Sequence, residues 1–283
     1  SKVANAILTL KLVAEGKLDL DENVNQYLSS DWKVEDNQFT KDRPVTLRTI
    51  LSHTAGFTVH GFADYLPEEP IPSTLQILQG ASPAKSGKVY VHFPVGSRFK
   101  YSGGGITVIQ KIIEDITGLT YHEAAQQHLF APLQLKRTSY ENPLPSSMGN
   151  IAKAHNRIGN PVAIPRGYQS MPEKAASGLW TTPSDLATIL SAIIASSENE
   201  RGIITPVLIE DMITPEVNTE FGLGPKIEYR NGQTIVFHNG ANDSYRAHFK
   251  VYWEQKTGYV IFTNGTNGLD LIQELQPLLD NLL

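Results

Sequence analysis

From Gln233 onward the chain changes its hydrophobic pattern. QTIVFHNGA (233–241), YRAHFKVYWE (245–254) and GYVIFTNG (258–265) are strand-like runs separated by turn residues, which suggests an antiparallel meander. Almost everything before them is patterned for helices. Residues 1–15 put Val3, Ile7, Leu10 and Ala14 on one face, Leu8 and Leu12 widen the stripe, and Gly16 stands where a helix-stopping glycine belongs. The segment 45–57 opens with Thr46 as an N-cap and ends in a glycine turn. Residues 104–118 form a strong helix stopped by glycine, and 120–133 another, with Thr120 and Glu123 in capping-box register. In 182–196, Pro183 and Asp185 suit a first helical turn. The stretches 58–98 and 135–175 read as irregular. LDLIQELQPLLDNLL (269–283) closes the chain as an amphipathic helix with Pro277 as a kink. The order is helix, helical middle, antiparallel strands, helix.

Composition narrows the chemistry. A length of 283 residues suits one large domain or two smaller ones, and 40% apolar residues supply a core. The net charge of −5 argues against a broad basic surface for nucleic acid. The absence of cysteine excludes disulfides, thiolate nucleophiles and cysteine metal sites, and is compatible with an exported bacterial protein. No apolar run reaches the length of a transmembrane span. His122 and His128 lie six apart, on different helix faces, so they do not form a zinc pair. YSGGGITV is glycine-rich, but no strand-like run leads into it, so a nucleotide reading is weak.

Three features can carry catalysis. Lys2 stands at the mouth of an apolar helix, where the dipole and partial burial both lower a lysine's pKa and fit it to serve as a general base. In KYSGGG (100–105), Tyr101 is followed by small residues, so it can approach a substrate and shuttle a proton if nearby cations lower its pKa. In FHNGAND (237–243), a residue as small as Gly240 lets a substrate lie along a strand edge, and the following N–H can face an oxyanion. Each also has a plain structural reading: a solvated lysine, a core tyrosine, a strand end.

Taken together the residues resemble the serine β-lactamase and penicillin-binding protein superfamily, in its class C β-lactamase, DD-peptidase and esterase branch. KLVAEGKLDLDENVNQYL, TLRTILSHTAGF, FPVGSRFKYSGGG, APLQLKRTSY, PEKAASGLWTTPSDLA and FGLG…FHNGAND occur in the family's order along nearly the whole chain. The resemblance makes Lys2 the lysine of the Ser-x-x-Lys motif. The nucleophilic serine then belongs two residues before Ser1, and Ser1 itself is a bystander. Literal matches at SDWK (30–33) and SPAK (82–85) open no apolar helix and are rejected. The second motif, Tyr-x-Asn, reads Tyr101-Ser102-Gly103, so a carboxamide able to bond a substrate amide is gone. The third, Lys-Thr-Gly, reads His238-Asn239-Gly240, while the literal KTG at 256–258 is a hairpin turn.

The resemblance implies an α/β (α+β) fold, an antiparallel sheet flanked by helices with a mostly helical domain inserted. Residues 1–45 and 176–283 would form the α/β part and 46–175 the helical part. It implies a serine acyl-hydrolase acting on an ester, β-lactam or D-amino peptide of small-molecule or peptidoglycan-like type, with no metal or organic cofactor. Lys2, Tyr101 and His238 would be catalytic; Gly103, Asn239, Gly240 and Ala241 would bind substrate. Which of Lys2 and Tyr101 is the base stays open. The rival is a non-catalytic scaffold or binding protein. His53 reads as a buried hydrogen-bonding residue. The family's segment before Ser-x-x-Lys, expected in the same or another chain, would cover the open edge of the meander. An exported location, periplasmic or extracellular, accompanies this reading.

Overall fold

The computed structural model of the protein describes residues 1–199 and 201–283. Helix α1 (Lys2–Ala14) is buried at Val3–Leu10 and Leu12. A helix that is apolar on nearly every side must be surrounded. It packs against α4 (Gly103–Thr117), α6 (Lys174–Ser177) and the π-turn Gln126–Phe130 that continues α5 (Tyr121–Ala125). Most polar groups taken inside find partners: Tyr121 donates its hydroxyl hydrogen to Asn5 Oδ1, and Thr9 donates to the Asn5 carbonyl, both at 2.8 Å, while Asn5 Nδ2 has no partner among the described residues.

Local signals set most helix ends. Helix α2 (Leu47–Leu51) starts at Thr46, whose hydroxyl and that of Thr49 cap it reciprocally. Thr120 and Glu123 do the same for α5. Thr182 caps α7 (Pro183–Ser196) by accepting from the Asp185 N–H. Gly16 and Gly118, both at left-handed φ, follow α1 and α4. Three α-helices lie where none is expected from the sequence, α3 (Thr74–Gln79), α6 and α8 (Pro206–Ile213). All are too short for a sustained apolar period, but α3 carries a capping box in Ser73 and Gln76.

Four strands form one antiparallel sheet in the order β1 (Lys226–Arg230), β2 (Gln233–Ala241), β3 (Arg246–Tyr252) and β4 (Thr257–Thr263). The sequence analysis finds three of the four. β1 is half polar, and its cue is Asn231-Gly232, both at positive φ in a two-residue hairpin. One sheet face meets α9 (Gly268–Asp280), where Lys250 pairs with Asp280 at 2.7 Å. The other face gives Val236, Phe249 and Val251 to the helical core. The two-residue period then points His238 and Gly240 to the core side, and Asn239 and Ala241 to the α9 side.

β1 ends opposite Phe237, so the edge of His238–Ala241 away from β3 has no strand partner among the described residues. Of the literal KTG, Lys256 ends the β3–β4 turn, at φ 54° with its N–H donating to the Trp253 carbonyl, and Thr257 and Gly258 open β4. SDWK and SPAK both lie outside helices. No described helix is long and apolar enough to cross a membrane.

Candidate active site

The glycine run after Tyr101 is explained by what lies across it. Ser102 is the N-cap of α4, its hydroxyl oxygen accepting from Gly105 N–H at 2.9 Å. The N–H groups of Gly103 and Gly104 donate to the carbonyls of His60 and Val59, each at 3.0 Å. The first-turn donors are therefore spent, and the helix end has none of these amides left for a phosphate. A Cβ on Gly103 would lie 3.0 Å from Phe62 Cε2 and 3.2 Å from the His60 carbonyl oxygen. Phe62 occupies the space an asparagine side chain would need. Gly103 is buried and positions Tyr101, and it offers a substrate no side-chain contact.

Tyr101 is half-buried in a ring of aromatic groups. His53 stacks on it with ring centroids 4.1 Å apart, His60 lies at 5.0 Å and Phe221 at 6.0 Å. Burial pushes its hydroxyl up to about 12. The lowering by nearby cations that would suit a tyrosine base does not occur, because desolvation dominates.

Lys2 stands beside this phenol, its Nζ 5.3 Å from the ring centroid and donating to the Ala176 carbonyl at 2.8 Å. Burial lowers its pKa to about 8. The direction agrees with the sequence argument, and the cause is desolvation. Ser1 Oγ accepts from the Leu179 N–H at 3.1 Å.

His53 joins this group from α2's C-terminal turn. It is 2% exposed, at φ 57°, and its Nδ1 accepts from the Ser102 N–H at 3.2 Å. That bond places the ring proton on Nε2, which is buried without a hydrogen-bond partner among the described residues. Burial and the charge of Lys2 hold its pKa well below the usual imidazole value.

His238 lies one ring further away. Phe221 separates it from Tyr101, with centroids 6.1 Å from His238 and 5.3 Å from His53. Burial, then the charge of Lys2, lowers His238 to about 3, so it is neutral. Its Nδ1–H donates to the Asn239 carbonyl at 2.6 Å, and Nε2 is left as a buried acceptor. A neutral acceptor does not attract a carboxylate as the lysine of Lys-Thr-Gly would. Phe221, which lies against both Tyr101 and His238, is named in the sequence reading only within FGLG.

The exposed β2 edge borders a cavity of about 500 Å³ lined by His238, Asn239, Gly240, Ala241, Trp180 and Met171 among others. A Cβ on Gly240 would meet only Ala247, at an ordinary 3.4 Å, and its φ is not left-handed. Neither packing nor backbone requires glycine there, so the space in front of it is open. Asn239 turns its side chain to the opposite face, where its Oδ1 accepts from His248 Nδ1 at 2.7 Å, and Gln276 donates to His248 Nε2 at 2.9 Å. Its carboxamide fastens the strand from behind, leaving only its backbone at the edge. Among the described residues no group of three or more histidines and carboxylates could hold a metal ion.

A half-buried lysine and a tyrosine at a helix start thus stand side by side, and a bare strand edge borders the cavity. The Beta-lactamase family model matches residues 1–279, and the chain belongs to that family. Protein flp of Staphylococcus aureus (strain MW2) is 22% identical over 279 residues, covering 93% of this chain and 51% of the relative. The teichoic acid D-alanine hydrolase of Staphylococcus aureus is 24% identical over 257 residues, covering 86% and 58%. The chain thus spans about half the length of the curated relatives it matches. A D-stereospecific amidohydrolase from Streptomyces sp. superposes with a TM-score of 0.69 at 19% identity, covering 93% of this chain and 79% of that one. This likeness supports the mixed α/β fold expected from the sequence.

Proposed function

We propose that the chain carries the base, acid and substrate edge of a serine acyl-hydrolase working through an acyl-enzyme on an ester, β-lactam or D-amino peptide. The observation that supports it best is the pairing of Lys2, lowered by burial to about 8, with Tyr101, raised by burial to about 12. Near neutral pH a useful fraction of Lys2 is free to accept a proton, while Tyr101 keeps one to give.

The serine of the Ser-x-x-Lys pattern stands three positions before Lys2 in the whole protein. Its hydroxyl proton passes to Lys2 as Oγ bonds to the substrate carbonyl carbon. The oxyanion takes hydrogen bonds from the serine N–H and from Ala241 N–H. As the tetrahedral intermediate collapses, the leaving group receives the Tyr101 proton, which the Lys2 ammonium replaces. Water then gives one proton to Lys2 as its oxygen bonds to the acyl carbon, and that proton passes to the serine Oγ as the acyl C–Oγ bond breaks and the acid leaves. His238 orients the substrate through its free Nε2. One relative, a teichoic acid D-alanine hydrolase, and one structural neighbour, a D-stereospecific amidohydrolase, put D-aminoacyl esters and amides first among substrates to try.

The test is labelling of the intact protein with a fluorescent fluorophosphonate. One adduct on the serine three residues before Lys2, lost in Lys2→Ala, is expected. A folded intact protein that takes no label, and hydrolyses none of a panel of esters, β-lactams and D-aminoacyl amides, favours the scaffold reading instead.

A further inference from the structure

Beyond the end of the β2 edge lies a group of oxygen acceptors that the catalytic reading leaves unused. An isolated antiparallel bridge joins Tyr65 to Ser170, with hydrogen bonds of 2.9 and 2.8 Å. The period of two then sets Asp64 opposite Met171 and puts Gln169 on the same face. Asp64, Gln169 and Met171 all line the cavity that holds His238–Ala241. Gln169 is 8% exposed, and its Oε1 has no hydrogen-bond partner among the described residues. Glu173 is 1% exposed, and its Oε2 has none either. Asp64 Oδ2 receives only a long bond from the Asp243 N–H, at 3.4 Å.

The two nearby cations are committed elsewhere. Lys85 Nζ donates to the Asp64 main-chain carbonyl and to Glu69 at 2.6 Å, and Arg246 donates to the carbonyls of Asn242 and Tyr245. Neither Asp64 nor Glu173 takes part in an ion pair among the described residues. Burial pushes both carboxyls up to about 7; the charge of Asp243 adds to the rise at Asp64 and that of Asp64 to the rise at Glu173, and the charges of Lys85 and Arg246 offset it only in part. Buried acceptors left without a donor cost on the order of 1–3 kcal/mol each, more when charged.

A chain of contacts bounds how far this group lies from Lys2. Lys2 bonds the Ala176 carbonyl, the next carbonyl, of Ser177, is 3.5 Å from Asn242 Nδ2, and the following residue Asp243 meets Asp64. With peptide steps of about 3.8 Å between these contacts, the carboxyl lies within roughly 20 Å of the lysine. That span admits an amino group several bonds along the acyl chain from the scissile carbonyl.

We propose that Asp64, Gln169 and Glu173 form a subsite for the primary ammonium of an acyl group whose carbonyl is held between Lys2 and the β2 edge. The oxygens are acceptors only, and an ammonium is a compact donor of three hydrogens. The position of the carbonyl rests on the acyl-hydrolase reading; the ammonium site does not.

The experiment uses the intact protein and two esters of one shape, 6-aminohexanoyl and heptanoyl p-nitrophenyl ester, which exchange ammonium for methyl. The kcat/KM ratio should favour the ammonium ester at least tenfold and fall at least tenfold in Glu173→Gln and in Asp64→Asn. Gln169→Lys, which brings an ammonium into the subsite from within, should erase the preference as well. A second arm needs no turnover: binding of 6-aminohexanamide against heptanamide by titration calorimetry. The ammonium amide should bind at least tenfold more tightly, and that advantage should vanish in Glu173→Gln. Esters hydrolysed with a ratio near one overturn the subsite and leave the hydrolase reading intact. No hydrolysis together with a preserved binding preference does the reverse. Equal binding of the two amides means the oxygens hold water only and ends the proposal.

Discussion

His53 and Tyr101 lie with ring centroids 4.1 Å apart and an interplanar angle of 33°. His53 also accepts the N–H of Ser102, the residue after the tyrosine, so it holds both ring and backbone of the same element. His53→Ala removes the stacked face and strands a buried N–H, at about 1–3 kcal/mol. His53→Asn keeps an acceptor and tolerates the left-handed backbone at φ 57°. In the intact protein, acylation by an activated ester should fall at least tenfold in His53→Ala and less in His53→Asn, chiefly in kcat. A wild-type kcat in His53→Ala would remove this residue from the positioning of Tyr101.

The separation of Lys2 and Tyr101 sets a pH profile. Lys2 acts as a base only when neutral, so kcat/KM should rise with pH through about 8. The hydroxyl keeps its proton until about 12, so no fall should follow through pH 10. Tyr101→Phe should slow acylation at least tenfold, about 1.4 kcal/mol in the barrier, and leave the rise in place. A Tyr101→Phe protein whose rise has moved would make the tyrosine the base.

Gly103, buried at the start of α4, and Gly240, on the open strand edge, should respond oppositely to a methyl group. At Gly103 the added carbon meets Phe62 and the His60 carbonyl, so Gly103→Ala should lower stability by about 1–3 kcal/mol, and Phe62→Ala should restore part of it. At Gly240 it meets only Ala247 at 3.4 Å, so Gly240→Ala should keep the melting temperature and lower kcat/KM for any ester that lies along β2. Thermal melts and ester kinetics on four proteins decide it. Loss of stability at Gly240 would make that glycine structural.

The elements with strong period or caps were legible: α1 from its apolar stripe, α5 from Thr120 and Glu123, β2 to its last residue. β1 was not, because KIEYR is half polar and only Asn231-Gly232 marks it. Residue type and neighbours alone nominate Lys2, Tyr101 and Gly240 as candidates. The site was not legible where a side chain's direction or burial decides. Asn239 faces α9 because of strand register, Gly103 is covered by a loop forty residues upstream, and the pKa of Tyr101 rises because the protein closes over it. Phe221 and the Asp64–Gln169–Glu173 group needed contacts between distant segments, which no local pattern records.

Asp64 and Glu173 should leave a mark on stability even without substrate. Burial raises both carboxyls to about 7; Asp243 adds to the rise at Asp64, where Lys85 and Arg246 oppose it, and Asp64 adds to the rise at Glu173, where Lys85 opposes it. Between the ordinary carboxyl values and about 7, the folded protein holds protons that the unfolded chain has released. Stability from these groups is therefore full below about pH 4 and is lost as pH rises through 7. Glu173→Gln takes one titration away and keeps the shape. Its urea midpoint should exceed that of the parent at pH 7.5 and not at pH 4.5, a comparison in which all other carboxyls cancel. The parent should also gain more from 6-aminohexanamide at pH 7.5 than the variant does, because a bound cation stabilises only the state that holds it. Equal midpoints at both pH values would mean that Glu173 is solvated and needs no positive partner.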